Sequence, residues 1–284
     1  MPPRAILPLP HLEGVTHRQV QAGDVELHLA EAGSGPPVLL VHGWPQHWWS
    51  WRKIIPELAR THRVICPDLR GHGWSQAPRG SYAKATLAAD LIALLDVLEL
   101  EQVPYVGHDW GGWIGFELAR LAPERLTALL ALSIPPPWFP ARRSPETALF
   151  ASYQLLLSTP LLGQAVLRNV PVFVERLIRA GASRQEAFET SDLHLYSDPL
   201  RDPDHAAATT ALYRTFLTRE LTRGGALRPP ATFAYRLMMG RRDPIRRAVR
   251  IGAQDAQLVE GVGHFLPEEA PEVILEALAS GILA

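Results

Sequence analysis

The stretch Gly107-His108-Asp109-Trp110-Gly111-Gly112 decides how this chain folds. It stands between the apolar run Val103 to Val106, which reads as a strand, and a helical pattern from about Trp110 to Leu121. A sharp strand-to-helix turn drives its central residue to positive φ, and the positions around it must be small. Gly107, Gly111 and Gly112 meet that demand. The side chain of Asp109 is then held out at the carboxyl end of a sheet, over a helix N-terminus.

Working outward, short apolar runs alternate with helical patterns, the sign of a largely parallel sheet with crossover helices. Pro37-Val38-Leu39-Leu40-Val41 reads as a fully buried strand, and Val25, Leu27 and Leu29 alternate like a half-exposed one. A helical stretch around Trp51 to Arg60 and a strand at Arg63 to Cys66 follow, and Leu87, Leu91, Leu94, Leu95 and Leu98 recur at helical spacing. Leu126 to Leu132 is strand-like. From Ile134-Pro135-Pro136-Pro137 to about Thr222 only helical patterns and Pro-marked turns occur. Strand signal returns at Leu237-Met238-Met239 and Gln257-Leu258-Val259, before an amphipathic helix near Pro271 to Leu283. The expected organisation is an α/β core over residues 1–133 and 223–284, interrupted by a helical insertion over 134–222.

The 284 residues are enough for one large core with a closed pocket. With 28 Lys and Arg against 29 Asp and Glu, the formal charge of −1 leaves no electrostatic footprint for nucleic acid or an acidic membrane. A small neutral partner fits better. Cys66, the single cysteine, cannot form an intrachain disulfide and fits a reducing compartment. The start MPPRAILPLPHLEG makes a poor signal peptide, and no apolar run approaches the ~18 residues of a membrane span. A soluble cytoplasmic protein is expected, and the sequence allows a homodimer without requiring one.

The turn has the nucleophile-elbow pattern, with Asp109 where a lipase carries Ser. A carboxylate with a reference pKa of about 3.9 is already ionised at neutral pH and attacks an sp³ carbon without a base, forming an ester. Hydrolysing that ester needs an orienting carboxylate and a His base, downstream and in that order. Asp243 in Gly240-Arg241-Arg242-Asp243-Pro244 and His264 in Val262-Gly263-His264-Phe265 stand where these are needed. The tetrahedral oxyanion needs N–H donors. The backbone of Trp110, after the nucleophile, is one; that of Trp44, in His42-Gly43-Trp44-Pro45, is the other. Pro45 rigidifies that loop and leaves the isomer of its peptide bond open.

These motifs, with Asp68-Leu69-Arg70-Gly71-His72-Gly73-Trp74-Ser75, resemble the α/β-hydrolase-fold epoxide hydrolases over nearly the whole chain and in the right order. The resemblance implies an α/β-hydrolase fold, a helical cap after the sixth strand, and two cap tyrosines that bind the epoxide oxygen. Tyr153 and Tyr213 stand in the matching contexts. It implies a small apolar epoxide and water as reactants, with no cofactor and no metal. Phe233-Ala234-Tyr235-Arg236-Leu237 departs from the family, since it puts Arg236 within or at the mouth of the strand before Asp243. No G-x-S-x-G, Walker-type loop or H-E-x-x-H occurs. The main rival is a haloalkane dehalogenase, which shares the Asp elbow. A halide leaves as a weak base, whereas a ring-opened epoxide leaves as an alkoxide that needs an acid such as Tyr. A non-catalytic hydrolase-fold receptor is a further alternative, but no catalytic member is missing.

Overall fold

The computed structural model describes residues 8–139, 145–221, 229–230, 233–249 and 251–283. Among the described residues, eight strands form one sheet: β1 (Val15–Ala22), β2 (Val25–Ala32), β3 (Pro37–Val41), β4 (Arg63–Pro67), β5 (Val103–His108), β6 (Leu126–Leu132), β7 (Tyr235–Gly240) and β8 (Gln257–Val259). Their order is β1-β2-β4-β3-β5-β6-β7-β8. Only the β1–β2 and β2–β4 pairs are antiparallel. The central strands are buried on both faces, so their apolar runs divide by the strand's period of two. Leu39 and Val41 join one core with α2 (Lys84–Val97) and α3 (Trp110–Leu121), whereas Val38 and Leu40 join another with α11 (Pro271–Ala279).

Three details differ from the sequence reading. Strand β1 went unrecognised because it is an edge strand whose His17, Arg18 and Gln19 carry little apolar signal. Strand β2 is mostly buried rather than half-exposed, since His28 turns inward to bond Asp68 and Ala30 enters the second core. The helical stretch from Trp51 to Arg60 is a 3₁₀ turn, Trp48–Trp51, and the four-residue helix α1 (Ile55–Leu58), which has Pro56 in its first turn. Arg236 lies at the exposed opening end of β7, paired in register with Leu130, and the buried run to Gly240 follows it.

Between β6 and β7 lie α4 (Pro145–Ser158), α5 (Leu162–Asn169), α6 (Pro171–Gly181), α7 (Thr190–Ser197) and α8 (Pro203–Thr215). The last runs on as a π-helical turn over Phe216–Glu220. The expected boundary at 222/223 falls outside the described residues. After β7 come α9 (Pro244–Val249) and α10 (Leu266–Glu269). No helix among the described residues is long and apolar enough to cross a membrane.

Two adjacent glutamates on α10 fasten this helical layer to the sheet layer. Glu268 and Asp192 of α7 both bind Arg52 at 2.6 Å, and Tyr196 of α7 donates to Glu268 at 2.5 Å. Glu269 accepts four backbone N–H groups at 2.8–3.0 Å: those of Gly263 and Phe265, and those of Ser183 and Arg184 just after α6. Such charge-assisted bonds are stronger than neutral ones, and a buried N–H left without an acceptor is costly. Glu269→Gln turns NH₂ donors against N–H donors, so it should lower unfolding stability by about 2–5 kcal/mol. Urea unfolding followed by tryptophan fluorescence checks this, with exposed Glu272→Gln as control; equal midpoints for the two would refute it.

Candidate active site

The elbow has the expected geometry. Asp109 sits between β5 and α3 with φ 51° and ψ −124°. A Cβ on Gly107 would stand 2.5 Å from the backbone of Gly111, and one on Gly111 would collide with the carbonyl of Val41. The strain is therefore locked in by backbone packing on both sides.

Asp109 is 8% exposed, and each carboxylate oxygen has its own partner. Oδ1 accepts the Trp44 N–H at 3.0 Å, and the Trp110 N–H also bonds the carboxylate. The two backbone donors proposed from sequence thus converge on one group. The Trp44-Pro45 bond is cis, and Gly43 has no side chain because a Cβ there would overlap Asp109. His42 braces the same loop, its Nδ1–H donating to the Gly43 carbonyl and its Nε2 accepting from Leu69 N–H. Burial, reinforced by the nearby His72, lowers the His42 pKa to about 3, so this brace is neutral.

Oδ2 of Asp109 lies 3.6 Å from His264 Nε2, an ion-pair distance rather than a hydrogen bond. On the other side of the ring, His264 Nδ1–H donates to Asp243 Oδ2 at 3.2 Å, while Asp243 Oδ1 accepts from Ile245 N–H at 2.8 Å. Asp243, His264 and Asp109 thus stand in line. Burial disfavours the imidazolium, but the Asp243 and Asp109 carboxylates outweigh it and raise the His264 pKa to about 10. For Asp109, burial works against ionisation and the neighbouring His264 works for it, leaving its pKa below the ordinary carboxylate value.

Tyr153 on α4 and Tyr213 on α8 meet over this centre, with ring centroids 6.0 Å apart and their side chains hydrogen-bonded to each other. Burial raises the pKa of both phenols. The tyrosines, Asp109 and His264 line one cavity of about 130 Å³. Its remaining wall is Trp44 and Pro45, the α6 stretch with Leu177, Ile178, Ala180 and Gly181, then Pro244, Ile245 and Phe265. Among the described residues, no arginine or lysine lines it. Of the indole N–H groups nearby, that of Trp44 donates to Thr209 Oγ1 at 3.2 Å, and that of Trp110 acts on the Tyr213 hydroxyl, lowering its pKa against the effect of burial. Among the described residues, no group of three or more His, Cys, Asp or Glu is arranged to hold a metal ion.

All seven residues proposed from sequence therefore meet in one place. Sequence reasoning missed the supports. His108 donates from Nε2 to the His264 carbonyl at 2.9 Å, and burial, with the charge of His264, lowers its pKa to about 4. His264 N–H donates to the Gly181 carbonyl at 2.8 Å, tying His264 to the α6 wall that Glu269 also grips. The adjacent Glu268-Glu269 in an otherwise apolar segment was the available signal, but it reads equally well as acid at a helix start.

Residues 36–269 match the α/β hydrolase fold family. The chain is 29% identical over 272 residues to a soluble epoxide hydrolase of Corynebacterium sp. (strain C12), covering 92% of this chain and 95% of that protein. It is 32% identical over 211 residues to a fluoroacetate dehalogenase of Burkholderia sp., covering 71% and 69%. The solved structure of the epoxide hydrolase CorEH superposes with a TM-score of 0.84 at 30% identity, over 93% of this chain and 98% of that one. The mostly parallel eight-stranded sheet, the Asp-bearing elbow after β5 and the match over most of its length make this chain a member of the α/β-hydrolase family.

Proposed function

We propose that the protein is an epoxide hydrolase that opens small, uncharged, apolar epoxides to vicinal diols through an ester on Asp109, with α4 to α8 acting as its cap. The observation that carries this is the meeting of an ionised carboxylate and two phenol hydroxyls in one enclosed apolar cavity. An Asp109 oxygen attacks an epoxide carbon, the ring C–O bond breaks, and a tyrosine hydroxyl gives its proton to the alkoxide. The imidazolium of His264 makes good that proton, so alkylation leaves the tyrosine protonated and His264 neutral. With Asp109 esterified, one of the two carboxylates that keep His264 charged is gone. Neutral His264, oriented by Asp243, then takes a proton from water as its oxygen adds to the ester carbonyl. The Trp44 and Trp110 N–H groups hold the oxyanion. Collapse releases the diol with one proton, and Asp109 and His264 return as an ion pair.

Two features favour epoxide over halide. Halide departure calls for free N–H donors, and the indoles of Trp44 and Trp110 are engaged elsewhere. A haloacid such as fluoroacetate also needs, besides the His264 imidazolium paired with Asp109, a cation for its own carboxylate, and no described arginine or lysine lines the cavity. Charge and geometry thus argue against the activity of the Burkholderia relative despite its similarity.

With water in place of the imidazolium as proton source, His264→Gln should still alkylate, though more slowly, but fail to hydrolyse, so incubation with styrene oxide should add the mass of one substrate to the intact protein. Absence of an adduct under conditions where wild type forms diol would remove His264 from the hydrolytic role. Tyr153→Phe and Tyr213→Phe should each slow adduct formation by about 10²–10³, softened where the remaining hydroxyl compensates, and the pair should nearly abolish it. Ring opening at the wild-type rate in the double variant would sink the epoxide assignment and bring chloro- and bromoalkanes forward.

The pH dependence separates the two steps. Because the Asp109 pKa is lowered, alkylation should persist below pH 4, near its ordinary value. Hydrolysis needs neutral His264, so single-turnover ester decay should quicken as pH rises. Its apparent pKa should lie below about 10, the free-enzyme value, because esterified Asp109 no longer holds the proton. Ester decay independent of pH would contradict a titrating base.

A further inference from the structure

Lys84, the first residue of α2, has no exposed surface and takes no part in the chemistry above. Its ammonium lies 2.8 Å from Glu220 Oε2, an ion pair rather than an aligned hydrogen bond. Glu220 closes the π-helical turn after α8, and its Oε1 accepts the Lys84 backbone N–H at 2.7 Å. Nζ also donates to the carbonyl of Leu212, next to Tyr213, at 3.4 Å. On its open side it faces aromatic rings, 4.1 Å from the Trp110 centroid and 5.0 Å from that of Phe216. Two further carboxylates act on its charge: Asp109, which is held by Trp44 and His264, and Glu117, which is taken by Arg120 at 3.0 Å.

Taking two charges fully out of water is expensive, and apolar residues of similar size often stabilise such a site as well or better. Packing alone therefore does not account for a lysine at this position. What the site does supply is a cation on the face of the Trp110 indole, whose ring stands edge-on to Tyr213 with centroids 5.9 Å apart and whose N–H acts to lower the Tyr213 pKa. A cation on the ring face draws electron density toward itself and makes the N–H a stronger donor, and bonds in series reinforce one another.

We propose that Lys84, held by Glu220, is a positioning residue for ring opening: through the Trp110 indole it strengthens the bond to the Tyr213 oxygen, so Tyr213 gives up its proton more readily to the epoxide. This rests on the epoxide hydrolase reading. The negative charge that develops on Tyr213 is spread onto the indole N–H, and the Leu212 contact fixes the turn of α8 that aims the phenol. Ester hydrolysis, which runs through His264 and the backbone donors, does not use this route.

The test compares adduct formation from styrene oxide, by rapid quench and intact-protein mass, in His264→Gln and in the same protein carrying Lys84→Met and Glu220→Gln. That pair leaves no unpaired buried ion. Adduct formation should slow by about tenfold or more, the order of one desolvated cation–π contact. Ester decay measured with His264 intact should be unchanged. Trp110→Phe keeps the backbone N–H but loses the indole donor; it should slow alkylation similarly, and combining it with the Lys84 and Glu220 changes should add little. Alkylation within about twofold of the parent, equal losses in both half-reactions, or losses that multiply would each overturn the proposal. If the doubly changed protein does not fold, Trp110→Phe alone decides, and unslowed alkylation refutes the route. A wild type that forms no diol together with a His264→Gln protein that gains no adduct overturns the epoxide reading and this proposal with it, whereas adduct formation indifferent to Lys84 overturns the positioning role alone.

Discussion

A carboxylate that is to act as a nucleophile must be stripped of water and remain ionised, and these demands oppose each other. Desolvation favours the neutral acid, so each lost water must be replaced by a fixed donor or a cation. At Asp109, the proposed nucleophile, the replacements are the Trp44 N–H on Oδ1, the Trp110 N–H on the carboxylate and His264 beside Oδ2. Much of the surrounding structure serves this group. The positive φ of Asp109 carries the carboxylate out over the sheet end, and glycines at 107 and 111 let strand and helix close around it. Gly43 lets the Trp44 loop approach, and His42 holds that loop from behind as a neutral brace.

The groups bound directly to Asp109 were legible in the sequence because the chemistry restricts their residue types. Only an acid can replace Ser as an ester-forming elbow without a base, and only His titrates in the useful range, so spacing and order located Asp109, Asp243 and His264. The parallel strands were legible for a different reason: burial on both faces leaves continuous apolar runs such as those at β3 and β6. Strand β1 was not, because an edge strand facing solvent has no such requirement. Strand β2 was misjudged because His28 counts as polar in any pattern, yet it is buried against Asp68.

The supports were illegible for a related reason. Glu269 and Lys84 act on backbone groups and ring faces brought from distant parts of the chain, and no local pattern encodes such partners. Glu269 binds residues 85 and 86 positions earlier in sequence, and Lys84 pairs with a residue 136 positions later. A glutamate before a proline or a lysine opening a helix reads as a solvated charge until the fold reveals that it is buried.

The charged links between the two layers share a location. Glu269 grips the backbone on both sides of His264 as well as the end of α6, the Lys84–Glu220 pair borders Trp110, and Arg52 joins α7 to the helix that follows the His264 loop. Apolar packing tolerates sliding and substitution, since dispersion has little directionality and side chains of similar volume exchange at small cost. Hydrogen-bonded ions do not, because a small displacement leaves a buried charge unsatisfied. Fastening the helical layer by ions next to the reacting groups therefore fixes Tyr153 and Tyr213 relative to Asp109 more tightly than an apolar interface would. The aliphatic part of the cavity wall, Leu177, Ile178 and Ile245, remains free to vary with the substrate.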